Sequence, residues 1–299
     1  MRLASAIVDG ERRAAILDGE VARVTGVSGL DVALREGIDL VQSVTREVPI
    51  GEVRLDAPLR PPVVFCLGLN YLDHLREQGR PEPTSEPEFF LKSGGTIAAP
   101  GDPFLLRPQV TAKLDAETEL GLVLGHGNAI AGFVVINDLT ARDRQIVPHA
   151  HGGFSMALGP GKNFDGATRM GPWMTTVDDV PDPQRLELTQ RVNGELVQHS
   201  STAAMIHPIG ALIAYVAALL TLPAGSVIAT GTPAGTGWGQ DADLGGNGWT
   251  PDGCARARYL VAGDRIESAI EGVGTLEFAV ADAGAATRPG ATAPARSIV

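Results

Sequence analysis

Cysteine is scarce in this 299-residue chain, with only Cys66 and Cys254 present. Two cysteines in no metal-ligand spacing form no disulfide framework, so a reducing compartment and a cytoplasmic protein are expected. Positive charge is also short: 24 Lys and Arg against 35 Asp and Glu leave a net charge of −11. Nucleic acid and an anionic membrane are excluded as partners on that ground, since either calls for a basic patch. Long hydrophobic runs are missing as well. The N-terminal "MRLASAIVDGERRAAI" has no signal-peptide core. The longest apolar stretch, "GALIAYVAALLTL" from residue 210 to 222, falls short of the ~20 residues a bilayer needs and reads as a buried helix. There is no glycine-rich phosphate loop and no repeat of fixed period.

What is present is an ordinary globular composition, 44% hydrophobic and 20% charged, with 37 glycines and 21 prolines spread along the chain. That spread favours a turn-rich, strand-heavy fold. Residues 1 to 56 read as a small α/β domain: "LASAIVDG" and "RRAAILDGEVARVTG" are strands broken by Asp-Gly turns, and "GLDVALREGIDLVQSV" has helical spacing. "DAPLRPPVVF" is a linker into a body spanning 57–283. There, short β-rich runs alternate with Gly/Pro punctuation, with helices expected at 71–79 and 202–221. The fold class is α+β and mostly β, a sandwich or rolled barrel with a few helices. Residues 284–299, "GAATRPGATAPARSIV", read as a disordered tail.

One stretch raises a chemical question. "LDAETELGLVLG" puts Glu117 and Glu119 on the same face of a strand whose other face, Thr118, Leu120, Leu122 and Leu124, is core. Two like charges side by side need a cation between them or a face open to water. Asp138 falls where the run "GFVVIND" ends, and if that strand lies beside the first, three carboxylates converge. Three oxygen ligands without His or Cys select a hard cation, Mg²⁺, with Mn²⁺ or Ca²⁺ as substitutes. The plainer alternative is a set of solvated acids on an exposed edge.

Three further features bear on it. His74 and Glu77 lie three apart on a helical turn, a spacing that lets a carboxylate fix an imidazole's tautomer and raise its basicity as a general base. Lys162 sits in the Gly/Pro stretch "PGKNFDG", and Thr232 in the glycine-rich turn "IATGTPAGTG", whose N–H groups and hydroxyl suit a carboxylate. A surface His–Glu pair, a surface lysine and a tight turn are the corresponding plain readings. His149 and His151 in "VPHAHGGF" read as a loop near the pocket, and Cys66 as core.

Taken in order, "LGLNYLDHLRE", "FFLKS", "DAETELGLVLG", "GFVVINDLTARDRQ", "GKNFDG…MGPW", "VNGELVQ", "IATGTPAG" and "GDRIESAIEGVGTLE" resemble the fumarylacetoacetate hydrolase family over about residues 57 to 280. The resemblance implies that family's mixed β-sandwich roll, usually a homodimer, with a small N-terminal domain added. It implies a metal triad at Glu117, Glu119 and Asp138, a water-activating dyad at His74 and Glu77, an active-site lysine at Lys162, and substrate contacts from Arg142, Gln145 and Thr232. The implied activity is divalent-metal-dependent cleavage of a C–C bond in a 2,4-dioxo acid, of the acylpyruvate or fumarylpyruvate type, through a metal-stabilised enolate. The same parts serve decarboxylases, isomerases and dehydratases of 2-oxo acids, including those of aromatic catabolism, and a non-catalytic metal-binding relative is a further alternative. Two departures bear on substrate: Asn163, Phe164, Asp165, Gly166 stand where many members have Ser-Phe-Asp-Thr, and residues 238–260 form a longer link than usual, a lid or a specificity wall.

Overall fold

The computed structural model describes residues 1–61, 63–80, 85–151 and 153–285. The expected tail therefore lies, apart from its first two residues, outside the described residues. Two β-sheets carry the structure. A 12-stranded sheet runs from the N-terminal strands through Thr168–Thr176, Ile130–Asp138, Thr118–Leu124, Val227–Ala229 and Val63–Gly68 to Glu88–Ser93. A five-stranded sheet, containing Glu187–Val192, Glu195–Ser201, Arg265–Ile270 and Gly274–Asp282, covers one of its faces. Leu120, Leu122, Phe133 and Val135 from the first sheet pack with Leu188, Ile270 and Leu276 from the second. The result is the mostly β sandwich that the strand spacing implied.

The Asp-Gly turns form as read. Arg2–Val8 and Glu11–Asp18 are joined through Asp9 and Gly10, both at positive φ (52° and 79°), the geometry that a two-residue hairpin demands. The N-terminal strands do not form a separate sheet: Arg2 and Leu3 pair with Thr175 and Met174 of the main sheet. Leu30, Ala33 and Leu40 share a core with Cys66, Val123 and Val134.

Two helices differ from the sequence reading. The first ends early, at Leu30–Glu36, because Gly37 adopts the left-handed conformation (φ 66°) that closes a helix. The apolar helix is Ile209–Leu219, and it is not wholly buried. Ile209, Leu212 and Val216 face the core, while Leu219 is 55% exposed. Beside Leu219, its exposed positions are Gly210, Ala211, Ala214 and Ala218, which score as apolar but offer little area to bury. No helix among the described residues is long and apolar enough to cross a membrane.

Candidate active site

The strand Thr118–Leu124 is antiparallel to Ile130–Asp138, in a register that sets Glu119 opposite Ile136 and Thr118 opposite Asn137. The pairing continues one step further, with the Asp138 N–H donating to the Glu117 carbonyl at 2.9 Å. Adjacency of these two strands brings the three carboxylates together: one oxygen from each of Glu117, Glu119 and Asp138 lies within 4.8 Å of the others. Both faces of the strand are buried, so the open-face solution to the charge problem is ruled out.

Cations approach this cluster unevenly. The Lys162 ammonium donates to Glu117 Oε2 at 2.5 Å and to Asp138 Oδ2 at 2.8 Å. Arg142, itself 1% exposed, donates from Nη2 to Glu117 Oε1, from Nε to Asp115 Oδ2 at 2.8 Å, and from Nη1 to Gln145 Oε1 at 2.7 Å. Burial works against the Glu117 charge, but Arg142 and Lys162 outweigh it and hold that carboxyl well below the ordinary range. Glu119 is left out. Its Oε2 accepts the Gly231 N–H at 2.9 Å, and burial, with the charges of Asp138 and Glu117, pushes its carboxyl well above the ordinary value. A carboxylate kept buried beside two others, with oxygen donors converging, fits a hard divalent cation.

The helix Leu72–Glu77 follows a strand end and points His74 and Glu77 inward. His74 Nδ1 lies 2.6 Å from Glu77 Oε1. Glu77 is fully buried, yet all its lone pairs are addressed: Oε2 accepts from Gly235 N (2.9 Å) and Thr236 N (3.3 Å), and Oε1 from the Thr236 hydroxyl (2.8 Å). Gly239 is needed here, because a Cβ at that position would sit 2.3 Å from Glu77 Oε2. The same loop donates Gly237 N and Trp238 N to Asp115, at 2.8 and 3.0 Å. Thus the N–H groups of Gly231, Gly235, Thr236, Gly237 and Trp238 serve the protein's own carboxylates. Thr232 lines the cavity, while its hydroxyl donates to Thr118 O at 3.0 Å and accepts from Gln198 at 2.9 Å.

Lys162 ends the short helix Leu158–Lys162. Gly161 lets that helix press on Gln145, whose Cβ would lie 2.5 Å from an added Cβ. His74, Glu117, Glu119, Arg142, Gln145, Lys162 and Thr232 all line one cavity of about 560 Å³. Glu77 and Asp138 lie directly behind, bonded to His74 and Lys162. Apolar and aromatic side chains, Leu67, Phe89, Phe90, Tyr215 and Met156, complete the lining.

Four residues of this site are given no individual role in the sequence reading, although Asp115 stands in the acidic stretch and Trp238 opens the long link. Lys92, at 0% exposure, donates to Asp138 Oδ1 and to the Ala167 carbonyl at 2.8 Å. Its signal was a lysine alternating with Phe90 in a strand. Asp115 anchors Arg142, and Gln78 places its amide nitrogen 2.8 Å from His74 Nε2. Trp238 stacks on the Arg142 guanidinium (4.9 Å) and meets His74 edge-on (6.0 Å). The long link at 238–260 is fastened rather than free: Asn247 donates to the Glu77 and Arg76 carbonyls, and Trp249 covers Arg76. Its start is thus a wall of the cavity. His149 bonds Ser155 at 2.9 Å on an exposed hairpin, and neither it nor His151 lines the cavity.

A β-sandwich whose buried carboxylate trio and His–Glu pair meet at one cavity defines an enzyme. The chain belongs to the fumarylacetoacetate hydrolase family, with residues 63–281 matching the domain described as Fumarylacetoacetate (FAA) hydrolase C-terminal. It is 36% identical over 240 residues to the oxaloacetate tautomerase YisK of Bacillus subtilis, covering 76% of this chain and 73% of that protein. Among solved structures, a fumarylacetoacetate hydrolase from Exiguobacterium antarcticum superposes with a TM-score of 0.75 at 30% identity, over 94% of this chain and 100% of that one. A maleylpyruvate hydrolase from Sphingobium sp. SYK-6, in complex with manganese(II) and pyruvate, gives 0.70 at 25% identity, over 94% and 99%. The expected family and its mostly β fold are both found.

Proposed function

We propose that this enzyme hydrolyses a C–C bond in a 2,4-dioxo acid of the acylpyruvate or fumarylpyruvate type. The observation that carries this reading is the His74–Glu77 pair at 2.6 Å, opening on the cavity that also holds the carboxylate trio. Glu117, Glu119 and Asp138 would hold the divalent cation, Mg²⁺ or Mn²⁺, which when bound supplies Lewis acidity toward the 2-oxo acid head. The manganese and pyruvate in the maleylpyruvate hydrolase support both choices.

The protein's own groups then account for the rest. Glu77 accepts the Nδ1–H and leaves the Nε2 lone pair to take a proton from water. The water oxygen bonds to the distal carbonyl carbon, the bond between that carbon and its neighbour breaks, and the electron pair remains on the 2-oxo acid half as its enolate. A proton on that carbon gives the 2-oxo acid, and the other product is a carboxylic acid. Lys162 spends two of its three N–H groups on Glu117 and Asp138; the third is the donor for a developing oxyanion. One such donor is worth about 2.7–4 kcal/mol of barrier. Arg142, Gln145 and Thr232 orient the acid head, with Arg142 acting through its hold on Glu117. A homodimeric, cytoplasmic enzyme handling acids from aromatic catabolism belongs to the same reading.

A second reading is enolisation or decarboxylation of oxaloacetate, which needs no attacking water. It is favoured by the tautomerase among the relatives. Product analysis with Mg²⁺ decides between them. Pyruvate plus a carboxylic acid from an acylpyruvate, lost in His74→Ala, supports hydrolysis. Turnover of oxaloacetate with the acylpyruvate untouched refutes it.

A further inference from the structure

The cavity of about 560 Å³ is far larger than a pyruvate head, and the polar side chains placed above are matched to that head and its metal. Much of the remaining lining is apolar: Leu69, Phe89, Phe90, Met156, Leu158 and Tyr215. None of the six is fully buried. Met156 is 41% exposed and the other five are half-buried, so each keeps apolar surface free for a partner.

The aromatic part of this surface is fixed in advance. Phe89 meets Tyr215 edge-on, with ring centroids 6.4 Å apart, and leans on the core residue Phe65 at 6.3 Å. The Lys162 ammonium lies over the Phe90 ring at 5.1 Å, so the apolar lining begins where the catalytic cations end. Leu69 reaches the cavity from a left-handed backbone, φ 54°, a strained conformation for leucine of the kind that collects at ligand-binding positions. An anionic tail is poorly matched to this lining. Among the described residues, only Arg80 and Glu88 bring it charge beyond those already placed at the head; both are exposed and their signs offset. Lys162 and Arg142 are held by Glu117, Asp138 and Asp115. A second carboxylate would lie against aromatic rings without a desolvated cation beside it.

We propose that the enzyme selects 2,4-dioxo acids whose acyl group, the part beyond the cleaved bond, is uncharged and apolar, an alkyl chain or an aryl ring, and that Phe89, Tyr215 and Met156 determine that choice. The inference rests on the hydrolytic reading and names its substrate class, acylpyruvates rather than fumarylpyruvate.

Binding separates the selectivity from the chemistry. Titration calorimetry on the Mn²⁺-loaded full chain compares pyruvate, 2-oxohexanoate and 2-oxooctanoate with 2-oxosuberate, in which a carboxylate replaces the terminal methyl of 2-oxooctanoate. Kd falls about fourfold for each added CH₂ along the first three. The diacid binds at least about tenfold more weakly than 2-oxooctanoate, because its second charge is buried unpaired. Met156→Arg, on an exposed hairpin away from the core, brings a cation to the lining and moves the ratio of these two affinities at least about tenfold toward the diacid. Tyr215→Ala removes the ring that holds Phe89 and flattens the dependence on chain length. A flat series in the wild type, or a diacid bound as tightly as 2-oxooctanoate, overturns the selectivity. An affinity pattern unmoved by both variants overturns the assignment of these residues. Hydrolysis of hexanoylpyruvate and fumarylpyruvate is assayed alongside. Faster cleavage of fumarylpyruvate overturns the selectivity and leaves the hydrolytic reading standing. The expected binding order with neither compound cleaved overturns the hydrolytic reading and leaves the selectivity standing.

Discussion

Replacing Glu119 with glutamine tests what the carboxylate trio is for. In the metal-free protein, burial and the charges of Asp138 and Glu117 all oppose ionisation of Glu119, and its carboxyl is raised well above the ordinary value. A group raised in the folded state adds stability below its unfolded pKa, about 4.3, and loses it as pH rises through the folded value. As pH rises above the unfolded value, Glu119 therefore becomes a growing burden on the fold. Glutamine keeps the oxygen that accepts the Gly231 N–H and adds an N–H that can donate to a neighbouring carboxylate. Metal-free Glu119→Gln should be more stable than wild type by about 1–3 kcal/mol, the cost of an ill-matched buried polar group. The gain should be larger at pH 8 than at pH 6. Saturating wild type with Mg²⁺ or Mn²⁺ at a hundred times Kd adds about 2.7 kcal/mol. At about 2 °C per kcal/mol for a domain of this size, that is a rise of about 5 °C in Tm. The variant should show little of this rise. Differential scanning calorimetry with and without metal measures both effects. A variant that is less stable than wild type when metal-free, or that keeps the full metal response, refutes the argument.

Three other expectations follow from buried contacts of the structure. Lys92→Met removes the ammonium bonded to Asp138 and should weaken Mn²⁺ binding by about 10- to 100-fold in titration calorimetry, with the fold intact. Trp238→Ala removes the ring stacked on Arg142 and set edge-on to His74, and should cost about 3–5 kcal/mol in denaturant unfolding. In Asp56, burial opposes the charge, but Arg60, the Ala57 N–H and Arg12 outweigh it and hold the carboxyl below its ordinary value. Asp56→Asn should cost about 1–2 kcal/mol at pH 7, chiefly through Arg12, since Arg60 is 60% exposed. A depressed carboxyl contributes above its unfolded pKa, so the difference between variant and wild type should fade as pH drops through the folded value.

Local pattern carried much of this site. An i, i+2 pair of glutamates and an i, i+3 His–Glu pair are written in consecutive residues, and regular geometry turns that spacing into proximity. The ordered motifs carried the family and the sandwich. Lys92 was harder to read because its partner, Asp138, is 46 residues away and only the sheet order brings them close. Asp115 stood in the same acidic stretch, yet its role depends on Arg142 and on the Gly237 and Trp238 N–H groups, all distant in sequence. The glycine-rich turn after Thr230 was legible as a carboxylate binder. What composition could not say is that the carboxylates are internal. The helix Ile209–Leu219 was misjudged because Ala and Gly count as apolar whether they face core or water.

The loop from Gly231 to Trp238 gathers Glu119, Glu77 and Asp115 on its N–H groups. Those three acids belong respectively to the carboxylate trio, to the His74 pair and to the Arg142 anchor. The loop thus works like a single clasp through which three threads pass. Tension on one thread reaches the others, so whatever occupies the trio and whatever proton His74 carries will be sensed together. A mutation in this backbone should not damage one function and spare the rest.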